Sequence, residues 1–115
     1  MCVEYNIHQG TGMSAALIAE LMNDSYLYEY RSNENERKHY YYCGVTNDIE
    51  NNLARHNIDS YLVGYECDTA EIAAQAEELL GKMGFDIGQV GYGGNGAAED
   101  SVYVYMYRKT EDTRE

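Results

Sequence analysis

Apolar and polar side chains alternate at Val3, Tyr5 and Ile7, which predicts a short strand early in the chain, broken by Gly10-Thr11-Gly12. Ser14 then precedes Leu17, Ile18, Leu21 and Met22, which share one helical face, and Asn23-Asp24 closes this first helix. Alternation returns from Ser25 to Arg31, with Tyr26, Tyr28 and Tyr30 on one side. A polar run from Ser32 to Lys38 separates that stretch from another, His39 to Val45, so the two predict an antiparallel hairpin with a long tip.

Asn47, with Glu50 three residues later, reads as the capping pair of a second helix. Ile49, Leu53 and His56 share its apolar face, Asn52 and Arg55 lie beside that face, and Asn57 closes the helix. Tyr61 to Cys67 predicts another strand. Asp68 and Glu71 open a third helix, whose stripe is Ile72, Ala73, Ala76, Leu79, Leu80 and Met83 and whose stop is Gly84. The glycine-rich segment from Gly88 to Gly96 reads as a flexible connection. No Lys-Ser/Thr pair follows it, and a strand comes next where a phosphate loop needs a helix. In that final strand Val102, Val104 and Met106 alternate with Tyr103, Tyr105 and Tyr107. The order implies one α+β domain over residues 1–115: a small, largely antiparallel sheet flanked by helices.

Composition narrows the possibilities. A chain of 115 residues that is 44% hydrophobic can bury a core without disulfides. Its three cysteines form no CxxC pair, which disfavours a zinc site and suits a reducing, cytoplasmic setting. No apolar run approaches the roughly 18 residues that span a bilayer, and no secretory leader is visible, so no membrane association is expected. Charge is the largest departure from average. Twenty acids against eight lysines and arginines give −12. That field repels polyanions, so the isolated chain is not expected to bind DNA directly; it serves solubility or attracts a basic protein surface. The thirteen tyrosines, with one phenylalanine and no tryptophan, suit strands whose ring faces are buried and whose hydroxyls stay wet.

One segment carries candidate chemistry. Tyr42-Cys43-Gly44 ends a strand, Thr46-Asn47-Asp48 turns, and a helix follows that carries Asn52, Arg55 and His56. The segment resembles the second half of the GIY-YIG endonuclease motif, with the motif-bearing core at about 26–84 and residues 101–108 as an additional strand. The resemblance implies a GIY-YIG-like fold and metal-dependent phosphodiester cleavage. Tyr28 (or Tyr30) and Tyr42 would be the site tyrosines, although neither Tyr28 nor Tyr30 follows Gly-Ile. His56 would activate water, and Glu77 would hold Mg²⁺ or Mn²⁺; a one-residue slip puts Ala76 there instead. A metal offsets charge on the phosphate, and an arginine stabilises the transition state. The arginine position is occupied by Asn52, which has neither charge nor a guanidinium fork. Arg55, three residues on, is the nearest substitute.

Ordinary structural roles exist for each: Tyr42 as a strand aromatic, His56 as helix-end packing, Glu77 beside Glu78 on a solvated face. Two functional expectations follow. One is a catalytically degenerate GIY-YIG-like domain acting as an acidic module for a basic, nucleic-acid-binding protein, for example a phage or mobile-element inhibitor of a restriction or CRISPR-type complex. The other is an active divalent-metal-dependent DNA endonuclease.

Overall fold

The computed structural model describes residues 5–26, 37–58, 62–87, 101–111 and 113. Its elements are β1 (Tyr5–Gln9), α1 (Ala15–Ser25), a 3-10 turn (Lys38–Tyr40), β2 (Tyr41–Thr46), α2 (Ile49–Arg55), β3 (Leu62–Glu66), α3 (Ala70–Lys82), β4 (Asp86–Ile87) and β5 (Tyr103–Arg108). The α+β class holds. The sheet is mixed, in the order β1-β3-β5-β2-β4. Its centre is antiparallel, with β5 between β3 and β2, and each edge pair, β1 with β3 and β2 with β4, is parallel.

The hairpin expected from residues 25–31 and 39–45 is corrected at its start. Ser25 is still helical, and Tyr26 caps α1 at φ −57°, ψ −47°. Tyr26 is drawn inward because its ring stacks on Tyr41 at 5.3 Å and meets Phe85 edge-on at 5.5 Å. The antiparallel partner of β2 is β5, with β4 on its other side at Tyr42 and Cys43. Tyr28 and Tyr30 lie outside the described residues, as does the Gly88–Gly96 segment.

Local chemistry sets the helix limits. Ser14 caps α1 by accepting from the Leu17 amide at 3.1 Å. The buried face of α1 is Ala15, Ile18, Ala19 and Met22, while Leu17 turns outward. The cap of α2 is Asp48 in place of the expected Asn47: its carboxylate accepts from Asn51 N–H at 3.1 Å, and its own N–H donates to Thr46 Oγ1. The cap of α3 is Thr69, one residue beyond the expected Asp68. Asp68 instead accepts from the Gly12 amide at 2.8 Å and so ties the β1–α1 turn to the β3–α3 turn. Both α2 and α3 end in Schellman turns. Asn57 (φ 52°) and Gly84 (φ 111°) take the left-handed position, and Ile58 and Phe85 donate back to Leu53 and Leu80.

Two cores result, one on each face of the sheet. Helices α1 and α3 pack on Cys43, Val63, Tyr65, Val104 and Met106. Helix α2 brings Ile49, with Ile58 just beyond it, onto Leu62, Tyr105 and Tyr107 on the opposite face. Strand β5 is buried from Val104 to Tyr107 because both of its faces are covered. No described helix is long and apolar enough to cross a membrane.

The register places Gly64 opposite Tyr105. A Cβ at Gly64 would lie 2.4 Å from the Val104 carbonyl oxygen, which is backbone and cannot swing away. Gly64→Ala is therefore expected to lower unfolding stability by about 1–3 kcal/mol, the usual cost of forcing a methyl group into a packed core. Urea denaturation of the two chains measures this; an unchanged midpoint would refute the β3–β5 register.

Candidate functional site

Tyr42 points to the α2 face of β2, because Cys43 takes the opposite face and sits in the α1/α3 core. Its register partner on β5 is Tyr107, and Tyr105 is two pairs further along, opposite Gly44. His56 follows the last turn of α2 and lies over these rings. Ring centroids are 5.8 Å apart for Tyr42 and His56, 5.6 Å for Tyr42 and Tyr107, and 6.2 Å for His56 and Tyr107. Tyr105 stacks on Tyr107 at 6.1 Å. Its hydroxyl reaches His56 Nε2 at a long 3.4 Å, and the imidazole tautomer decides which group donates.

Gly44 is what makes this cluster possible. A Cβ there would sit 2.4 Å from the Tyr105 hydroxyl and 2.7 Å from Cζ. The glycine of the Tyr42-Cys43-Gly44 element thus has a packing reason: it leaves room for a ring from the neighbouring strand.

Asn52 belongs to the buried stripe of α2, at i+3 from Ile49, and has no exposed surface. Its Oδ1 accepts from Arg55 Nη2 at 3.3 Å, whereas its Nδ2 is buried with no hydrogen-bond partner among the described residues. Asn52 and Tyr105 are neighbours. Burial raises the Tyr105 pKa well above the ordinary value, with Tyr42 and Glu77 adding to the rise while Asn52 and Arg55 oppose it. Arg55 is exposed and held at its own helix end.

Glu77 comes from α3, the helix on the other face of the sheet. Among the described residues no hydrogen bond or ion pair engages it, and burial pushes its pKa from 4.5 up to about 7. Its charge adds, after burial, to the raised pKa of fully buried Cys43, where Asp86 contributes further. Asp86 is paired with Lys109 at 3.0 Å. The resemblance implies Mg²⁺ or Mn²⁺ here, hard ions that take several oxygen ligands. A lone half-buried carboxyl whose burial disfavours its charged form is a poor donor set for them. Among the described residues no group of three His, Cys, Asp or Glu side chains could hold a metal.

Of the sequence candidates, Tyr42, His56, Asn52 and Arg55 share one side of the sheet, Glu77 stands on the helix across it, and Tyr28 is outside the described residues. Sequence reasoning passed over Tyr105 and Tyr107 as ordinary strand aromatics. The available signal was Gly44, since a glycine inside a strand marks a close approach by another group. Comparison of the chain with known protein families, characterised proteins and solved structures returns no match.

The raised pKa of Glu77 has a definite sign. The folded state holds the proton more tightly than the unfolded chain, so stability is greatest below the ordinary 4.5 and falls as pH rises towards about 7. Glu77→Gln removes this dependence. The variant is expected to gain on the parent between pH 4 and pH 8, by on the order of 1 kcal/mol once partial exposure is allowed for. Urea midpoints across that range measure it, and parallel pH profiles for the two chains would contradict it.

Proposed function

We propose that this chain is an acidic protein-binding module built on a scaffold that resembles the GIY-YIG nucleases, and that it does not cut phosphodiesters. The observation that carries this reading is the state of Asn52. The helix position where the resemblance implies a phosphate-facing arginine holds a neutral amide with no exposed surface. An amide buried in this way offers neither charge nor a fork to a scissile phosphate. The polar groups around it are turned on one another: Tyr105 on His56, and Arg55 on Asn52.

The charge of −12 supports the second half of the reading. Proteins that handle nucleic acid carry basic surfaces, and a compact acidic domain can compete for such a surface. Inhibition of a restriction or CRISPR-type complex is one form this takes. Opposed charge also dictates that binding weakens as salt rises.

Plasmid and branched DNA incubated with the chain and Mg²⁺ or Mn²⁺ are expected to stay intact. Metal-dependent cutting that is lost in Glu77→Gln would overturn the proposal in favour of an active nuclease, the reading that the packing of Tyr42 on His56 favours. Asn52→Arg is expected to lose at least roughly 2 kcal/mol of stability, because it forces a larger, charged group into a closed core. If Asn52→Arg instead folds at full stability and cleaves, position 52 faces a substrate after all.

A further inference from the structure

The α2 face of the sheet is only partly covered. Helix α2 has seven residues, and its hydrophobic contacts fall mainly on β3 and β5. Edge strand β1 extends past that cover. Tyr5 on β1 is 41% exposed, one of two large hydrophobic side chains that exposed among the described residues. The uncovered strip is an open groove of about 380 Å³ between β1 and the start of α2. Ile7 and the rings of Tyr5 and Tyr103 give it apolar surface, while Asp48, Glu50 and Glu66 supply the charge. Among the described residues no lysine, arginine or histidine lines it.

Among the described residues Asp48, Glu50 and Glu66 form no ion pair: Asp48 caps α2, Glu50 accepts from the Tyr5 hydroxyl at 3.4 Å, and Glu66 accepts from Gln9 Nε2 at 3.0 Å. Lys38, Arg108 and Lys109 gather where β2 begins and β5 ends, outside the groove lining. There Lys38 lies over the Phe85 ring, Arg108 over the Tyr40 ring, and Lys109 pairs with Asp86. Asp48, Glu50 and Glu66 thus leave the groove negative.

We infer that this groove is the docking site for the basic partner and takes an arginine-bearing segment of that protein, an assignment that rests on the binding-module reading. Guanidinium is the group the groove fits. It is planar, hydrogen-bonds carboxylates through a two-pronged edge, and stacks on aromatic faces, and this groove offers carboxylates beside tyrosine rings. Lysine presents a point charge without the stacking face, so the groove favours arginine over lysine. The volume lies near the lower end of the roughly 300–1,000 Å³ of ligand clefts, which suits side chains of an extended segment better than a bulky cofactor.

The test titrates a short poly-arginine peptide, and its poly-lysine counterpart, into the intact chain by calorimetry and by amide-shift mapping. The parent is compared with Glu50→Gln/Glu66→Gln and with a charge-matched control, Glu71→Gln/Glu78→Gln, on α3. The expected result is tighter binding of arginine than lysine, shifts at Tyr5 and Tyr103, and a loss of roughly tenfold or more in affinity in the groove variant against little change in the control. Equal weakening in both variants would overturn the groove and leave the acidic-module reading standing, because net charge alone then governs binding. Failure of the parent to bind either peptide would remove both. Should the groove variant prove unfolded by circular dichroism, Tyr5→Ser, at an exposed position, carries the same comparison, and unchanged arginine affinity there overturns the assignment.

Discussion

Tyr105 sits between two glycines. In the central strand its register partners are Gly44 on β2 and Gly64 on β3, so one aromatic ring is flanked across three strands by residues without side chains. A Cβ at Gly44 would strike the Tyr105 ring, and one at Gly64 would strike the β5 backbone. Dense interiors tolerate neither. The row fixes where β5 lies, and β5 in turn divides the molecule into its two cores: Val104 and Met106 against α1 and α3, Tyr105 and Tyr107 against α2. Every other pairing in the sheet is built outward from that strand.

This dependence explains what the sequence could and could not tell. The helices and most strands announce themselves through local periodicity, and all three helices lie within a few residues of where that periodicity puts them. Strand order does not, because β5 reaches its place between β3 and β2 through contacts distant in sequence. Strand β4, at two residues, is too short for any alternation to register. The cap shifts at Asp48 and Thr69 have a common cause: Thr46, Asn47, Asp48 and Thr69 all belong to residue types that can cap, so local chemistry leaves a choice that the tertiary fold resolves.

The candidate site was legible to the same degree. Tyr42 and His56 stand out through the resemblance of their strand-turn-helix segment, and that segment brings their rings to 5.8 Å. Their partners Tyr105 and Tyr107 come from the far end of the chain, and only Gly44 hinted at them. Asn52 is the instructive residue. Taken as a counterpart of a nuclease arginine, it reads as a lost functional group. Taken with Ile49, Leu53 and His56, it falls at i+3 on the buried stripe of α2, and there it is found, closed from solvent. Its buried Nδ2, unpartnered among the described residues, costs stability, while its Oδ1 holds Arg55 at the helix end.

The two faces of the sheet therefore differ in what they can offer a partner. The α1/α3 face is closed by two helices that pack on each other and on the sheet. The α2 face is closed only in its middle, and its outer strip is where tyrosine and carboxylate remain in contact with water. Net charge alone would make the chain equally repellent to polyanions on every side. The lining of that strip, with Asp48, Glu50 and Glu66 and no lysine, arginine or histidine among the described residues, gives the acidity a place as well as a magnitude. A basic surface that met this strip, which α2 is too short to cover, would find carboxylates and tyrosine rings together.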